Sequence, residues 1–247
     1  MNVVNFHSIA AVRAALDQGL ADLACAPFAL SLQRYFPHPV TALGVANGQV
    51  AHLARRVIRA APTLTDEAWM ALARHFAATH AWHEHLLLAS ALAAHCAPRL
   101  DDDGRFLDLV KTWLENDVGN WAQCDDLCLK PLYHYLKGRA PLRDRLPEWG
   151  ASAGPWCRRA SNVALVKFVG RADGIALAPV LANCARLLDD PDPYVQKGIG
   201  WVLKVAGQHA RSDVLDFLAR HHGHIARGTL RYALEKMPAE TRRRALT

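Results

Sequence analysis

Apolar residues recur along nearly the whole chain with the period of an α-helix, and no stretch alternates apolar and polar residues for long. A chain with that period cannot be organised around a sheet, so the expected fold class is all-α. Helices are expected at about 7–19, 28–36, 47–60, 65–78, 82–97, 104–116, 119–136, 140–148, 153–170, 174–189, 192–206, 211–222, 225–236 and 238–245. Several starts are signalled by caps and acids, as at Thr65-Asp-Glu, Asp192-Pro193 and Ser212-Asp213, with Pro193 tolerated in a first turn. Gly44, Gly138, Gly170 and Gly207 punctuate helix ends.

The helices are short and joined by short turns. Tryptophans recur at Trp82, Trp121, Trp156 and Trp201, which is 39, 35 and 45 residues apart and close to the period of HEAT-type helical pairs. The expected architecture is therefore a right-handed α-solenoid of antiparallel helix pairs over residues 1–247, one domain with a concave basic face.

At 247 residues and 51% hydrophobic residues the chain can bury a large core, yet no apolar run approaches the roughly 18 residues of a membrane span. Residues 1–20 carry Arg13 and Asp17 inside an amphipathic pattern, which is not that of a signal peptide. Six cysteines without framework spacing then read as reduced thiols, and a cytoplasmic protein is expected. The net charge is +6, and residues 153–247 carry +7 from 15 basic and 8 acidic side chains while 101–152 carry −3. A basic surface of this kind suits a polyanion.

Within Asn120-Trp-Ala-Gln-Cys-Asp-Asp-Leu-Cys128, Trp121 and Asp125 are four apart and share one helix face. An indole beside a carboxylate is a poor core element, because a buried Asp needs a partner for its charge. It is a good way to hold an electron-rich platform and an anion against something cationic. A solvated Asp beside a core Trp is the plainer alternative, and Asp126 adjoins as a second carboxylate.

In Pro155-Trp-Cys-Arg-Arg-Ala-Ser161, one of Arg158 and Arg159 must lie near the buried side of its helix. An arginine there needs an anion, either a phosphate or an acid such as Asp125 or Asp126 on a neighbouring helix. Lys197, Trp201 and Lys204 are spaced 4 and 3, so one face presents cation, indole, cation. Gly198 and Gly200 cost about 1 kcal/mol each in mid-helix, which implies close helix packing or close approach by a ligand. Arg34 to Gly44, with Tyr35, reads as a connection with an aromatic plug. The histidine pair His83 and His85, the pair Cys124 and Cys128, and His221-His222-Gly-His224 lack metal-ligand spacing, and no nucleophile elbow or phosphate-cradling glycine loop occurs.

Taken in order, the Asn120–Cys128 stretch, Trp156-Cys-Arg-Arg159 and Val195-Gln-Lys-Gly-Ile-Gly-Trp-Val-Leu-Lys204 resemble the DNA alkylation repair (AlkD-like) family of HEAT-like-repeat DNA glycosylases. Tyr35 with Leu43-Gly-Val45, and Leu230-Arg-Tyr-Ala-Leu-Glu-Lys236, support the resemblance. It implies excision of N3- and N7-alkylated purines from duplex DNA by hydrolysis of the N-glycosidic bond, without base flipping. It also implies that Asp125 is the catalytic carboxylate and that Trp121 and Trp201 line the site. Arg158, Arg159, Lys197, Lys204 and Tyr35 would contact DNA. No metal or organic cofactor is implied, the partner is double-stranded DNA containing alkylated bases, no membrane is involved, and a monomer is expected. The alternatives are a non-catalytic HEAT-repeat protein that binds damaged or branched DNA, and a protein-interaction scaffold.

Overall fold

The computed structural model describes residues 8–79 and 81–246. The helices are α1 (Ile9–Leu23), α2 (Ala26–Leu32), α3 (Asn47–Ala60), α4 (Asp66–Thr79), α5 (His83–Cys96), α6 (Arg105–Asn116), α7 (Trp121–Leu127), α8 (Tyr133–Leu136) and α9 (Ala140–Arg143). They continue as α10 (Pro155–Val163), α11 (Leu177–Arg186), α12 (Pro193–Ala206), α13 (Arg211–Arg220), α14 (Arg227–Ala233) and α15 (Ala239–Leu246). Among the described residues there is no strand, only an isolated bridge between Val169 and Ile175. The all-α expectation holds, and each expected segment contains observed helix; the expected first position, 7, lies outside the described residues.

Three departures have local causes. The expected helix 119–136 is interrupted by a π turn at Cys128–Leu132, because Pro131 has no N–H for the i→i−4 ladder and the wider turn absorbs the gap. The expected helix 153–170 stops at Val163. Beyond it, Leu165, Val166 and Phe168 donate to the carbonyl three residues back, and this tighter winding buries Ser161 to Val166 on every side. The tryptophan period also fails as a repeat marker: Trp82, Trp121 and Trp156 stand at helix starts, whereas Trp201 stands in mid-helix.

The chain forms two compact units. The first comprises Met1–Asp102 and Asp117–Tyr135, and its centre is α5, which packs on α3, α4 and α7. Enclosed by these neighbours, α5 is apolar on nearly all sides, as a buried helix should be. Leu86, Leu87, Leu88 and Leu92 are buried there, and full burial of each is worth about 1.5–3 kcal/mol. The buried Glu84 of α5 accepts the backbone N–H groups of Leu43, Gly44 and Val45 at 2.9, 2.8 and 3.0 Å. That carboxylate fixes the approach to α3. The turn there requires glycine, since Gly44 has φ +79° and a Cβ would lie 2.1 Å from the Cys25 carbonyl oxygen.

The second unit comprises Asp103–Asn116 and Leu136–Thr247. Its centre is α12, packed between α10 and α14, with α11 and α13 beside it. Asp192 caps α12 by accepting from Tyr194 and Val195 N–H at 2.7 and 3.1 Å.

Candidate functional site

In the first unit, α7 begins at an asparagine cap. The Asn120 side-chain oxygen accepts from the N–H groups of Ala122 and Gln123, both at 3.1 Å, and its amide nitrogen lies 3.1 Å from His83 Nδ1. Gln123 adds a bond to the His83 carbonyl at 3.2 Å. Burial holds the His83 imidazole below its ordinary pKa, against the raising influence of Glu84 and Asp126. These bonds fix the first turn of α7 and therefore the direction in which Trp121 leaves it.

The half-buried Trp121 donates its indole N–H to the Tyr35 carbonyl at 3.1 Å, and the Phe36 ring lies 5.8 Å from it at a 40° tilt. Phe36 also lies 5.6 Å from His83, so it is the plug that the Arg34–Gly44 connection led one to expect. Tyr35 is 64% exposed: its backbone steadies Trp121 while its ring stands in solvent.

Asp125 lies one turn beyond Trp121 and is buried. Its neighbour Asp126 is buried as well. It pairs with Lys130 at 2.5 Å and accepts from Asn47 at 2.8 Å and from Ser90 at 2.6 Å. Three donors thus engage its two oxygens. The missed partners left weak signals. Lys130 is four residues after Asp126, a helical ion-pair spacing, and Ser90 is a lone hydroxyl in an otherwise apolar run.

In the second unit the expected cations are already engaged. The half-buried Arg158 donates to both oxygens of the Asp190 carboxylate at 2.6 and 3.2 Å, and to the Ser152 and Ala153 carbonyls at 3.1 and 2.7 Å. The bond to Asp190 raises the guanidinium's pKa further. The acid that Arg158 meets is Asp190, which stands just ahead of α12, and not the expected Asp125 or Asp126. Arg159 is buried and donates to the Tyr194 carbonyl at 2.5 Å. Both arginines thus secure the start of α12.

Lys197, Trp201 and Lys204 do share a face of α12. Lys197 Nζ is 4.8 Å from the Tyr194 ring centre, and Lys204 Nζ is 4.1 Å from the Tyr232 ring centre and 3.6 Å from Glu235. Lys197 is exposed, Trp201 half-buried, and the Lys204 side chain largely covered. Packing explains Gly200, where a Cβ would meet Tyr232 at 3.0 Å, whereas one at Gly198 would make ordinary contact with Arg159 and Val163 at 3.4–3.5 Å. Trp121, Asp125 and Tyr35 belong to the first unit, and Arg158, Arg159, Lys197, Trp201 and Lys204 to the second.

An all-helical chain carrying a capped Trp–Asp turn and a cation–indole–cation helix is a class of fold and side chains that comparison with known proteins makes definite. The family model for the DNA alkylation repair enzymes matches residues 16–237, and the chain belongs to that family. Among solved structures it is similar to a predicted DNA alkylation repair enzyme from Enterococcus faecalis, at 13% identity and a TM-score of 0.75, covering 87% of this chain and 97% of that one. It is also similar to AlkD2 from Streptococcus mutans, at 17% identity and a TM-score of 0.60, covering 91% of this chain and 100% of that one. At these identities the likeness is one of fold. The curated proteins contain no match. No described helix is long and apolar enough to cross a membrane.

Proposed function

We propose that this protein is a DNA glycosylase that excises N3- and N7-alkylated purines from duplex DNA by hydrolysing the N-glycosidic bond. The observation that carries this reading is the Trp121–Asp125 turn of α7, in a chain of the DNA alkylation repair family. Asp125 stands one turn from Trp121 on α7, which supports it as the working carboxylate.

Alkylation at N3 or N7 leaves a positive charge on the purine, so the base departs without being protonated. As the C1′–N bond lengthens, the bonding pair goes to the base, which leaves neutral, and positive charge moves to C1′ and the ring oxygen of the sugar. The Asp125 carboxylate stabilises that oxocarbenium-like centre and orients the water whose oxygen bonds to C1′; the water's proton passes to solvent. The indole of Trp121 offers an electron-rich face to a cationic sugar, and the exposed Lys197 and Tyr35 offer contacts to DNA. Lesion choice then follows from the lability of a cationic base.

The test is release of free base from a duplex bearing one N7-methylguanine. Asp125→Asn is expected to slow release by at least about 10²-fold while leaving helicity and duplex affinity unchanged. Release by the variant at the wild-type rate would remove Asp125 from the mechanism. No release by the wild type, with salt-sensitive duplex binding retained, would replace the glycosylase with a DNA-binding protein.

A further inference from the structure

The first unit holds a groove of about 600 Å³ that the proposed reaction does not use. Its lining has two parts. One is small and apolar, formed by Ile58 and the alanines that face it from α3 and α5. The other is basic: Arg55 and Arg59 from α3, His95 from α5, Lys130 from the π turn, and His134 from α8. No carboxylate lines it.

The sequence of α3 produces this arrangement. Val50, Leu53, Ala54 and Val57 are buried, so the helix must turn Arg55 and Arg59 outward, one turn apart on one stripe. Some exposed arginines find acids: Arg99 pairs with Asp66 at 2.5 Å and Arg145 with Asp108 at 2.8 Å. Among the described residues, Arg55 and Arg59 have no such partner. Lys130 is held in place by Asp126 and by Asn47 at 2.8 Å, so it adds a fixed rather than a wandering donor.

We infer that this groove seats the sugar–phosphate backbone of one strand of the duplex, with Arg55 and Arg59 on successive anionic groups and the alanine floor against deoxyribose. The inference rests on the DNA-repair reading above and adds a binding surface to it. A single phosphate would leave most of the groove empty, whereas a strand supplies both a row of anions and the apolar sugar edges that the floor requires. Burial lowers the pKa of His95, so the arginines supply the groove's charge.

The experiment is a fluorescence-anisotropy titration of an unmodified duplex at several salt concentrations, with wild type and Arg55→Ala/Arg59→Ala. The double variant should bind at least about tenfold more weakly, and the slope of log affinity against log salt should fall by about 2, one for each lost phosphate contact. Arg55→Lys/Arg59→Lys should keep the slope, and unchanged thermal melting of both variants shows that the fold is intact. Equal affinity and slope for wild type and the alanine variant would overturn the inference. So would a double variant that binds the duplex normally but loses binding to polyglutamate, which would assign the groove to an acidic protein. Failure of the glycosylase reading is separate: it shows in base release by wild type and Asp125→Asn, whatever this titration gives.

Discussion

In the first unit the buried carboxylates are held mostly by neutral donors. Glu84 accepts three backbone N–H groups, and Asp126 accepts Ser90 and Asn47 beside its lysine. Arg55 and Arg59 meanwhile face a groove without acids. In the second unit several of the cations are engaged groups. Arg158 is bound by Asp190, Lys204 by Glu235 and the Tyr232 ring. The buried Arg143 donates to the carbonyls of Leu136, Asp173 and Gly174 at 3.1, 2.7 and 3.0 Å. A count of charge along the sequence places the polyanion surface in the basic C-terminal part, but much of that charge is consumed internally. Availability of a cation depends on its neighbours in space, which a count along the sequence does not show.

The sharpest way to break this contrast is to remove the acid on which the second unit's arginine depends. Asp190→Asn leaves the Arg158 guanidinium half-buried with only carbonyls, and it should cost about 2–4 kcal/mol of unfolding free energy, read from urea denaturation. An unchanged midpoint together with tighter duplex binding would mean that Arg158 is free to meet phosphates, and the contrast would fail.

A smaller effect distinguishes the first unit by pH. His83 and His85 both sit below the ordinary imidazole value of 6.5, because burial disfavours the charged ring more than Glu84 and the other nearby acids favour it. Below about pH 6.5 the unfolded chain therefore binds protons that the folded chain refuses. Stability should fall as pH is lowered through that value towards the depressed ones, and should be insensitive to these rings above it. Unfolding free energies measured between pH 7.5 and 5.5 check the sign; a rise on acidification would show that the acids, not burial, dominate.

Much of this was legible in the sequence, and the illegible part has a physical pattern. Helical period located the helices, since each has one face that must be covered; the Asn120 cap and the Trp121–Asp125 spacing are local, so they too could be read. The glycines of α12 announced a close contact, although not whether protein or ligand made it. What sequence did not give was pairing at a distance. Nothing in the string links Ser90 and Asn47 to Asp126, or Asp190 to Arg158, across 32 or more residues. The α3 arginines were visible, but their lack of acids is a property of the α5 and π-turn neighbours. Pro131 was also in plain view, and its π turn is a local effect that periodicity overlooks.

The finest test uses two glycines, one in the central helix of the second unit and one at the start of α3. Alanine at either gains helix propensity, about 1 kcal/mol at most. At Gly200 the new methyl would sit 3.0 Å from Tyr232 and 3.2 Å from the Thr229 carbonyl oxygen, so α14 must yield. Overpacking of that kind costs about 1–3 kcal/mol, so Gly200→Ala should lower the unfolding free energy by a net of about 1 kcal/mol and the melting temperature with it. At Gly48 nothing lies within 4 Å, and Gly48→Ala should raise stability by about 0.5 kcal/mol. Opposite signs in the two melting curves would place the tight packing at the α12–α14 contact. A stabilising Gly200→Ala would instead mean that α14 gives way easily, and the glycine would then need the other explanation its position allows, close approach by a ligand.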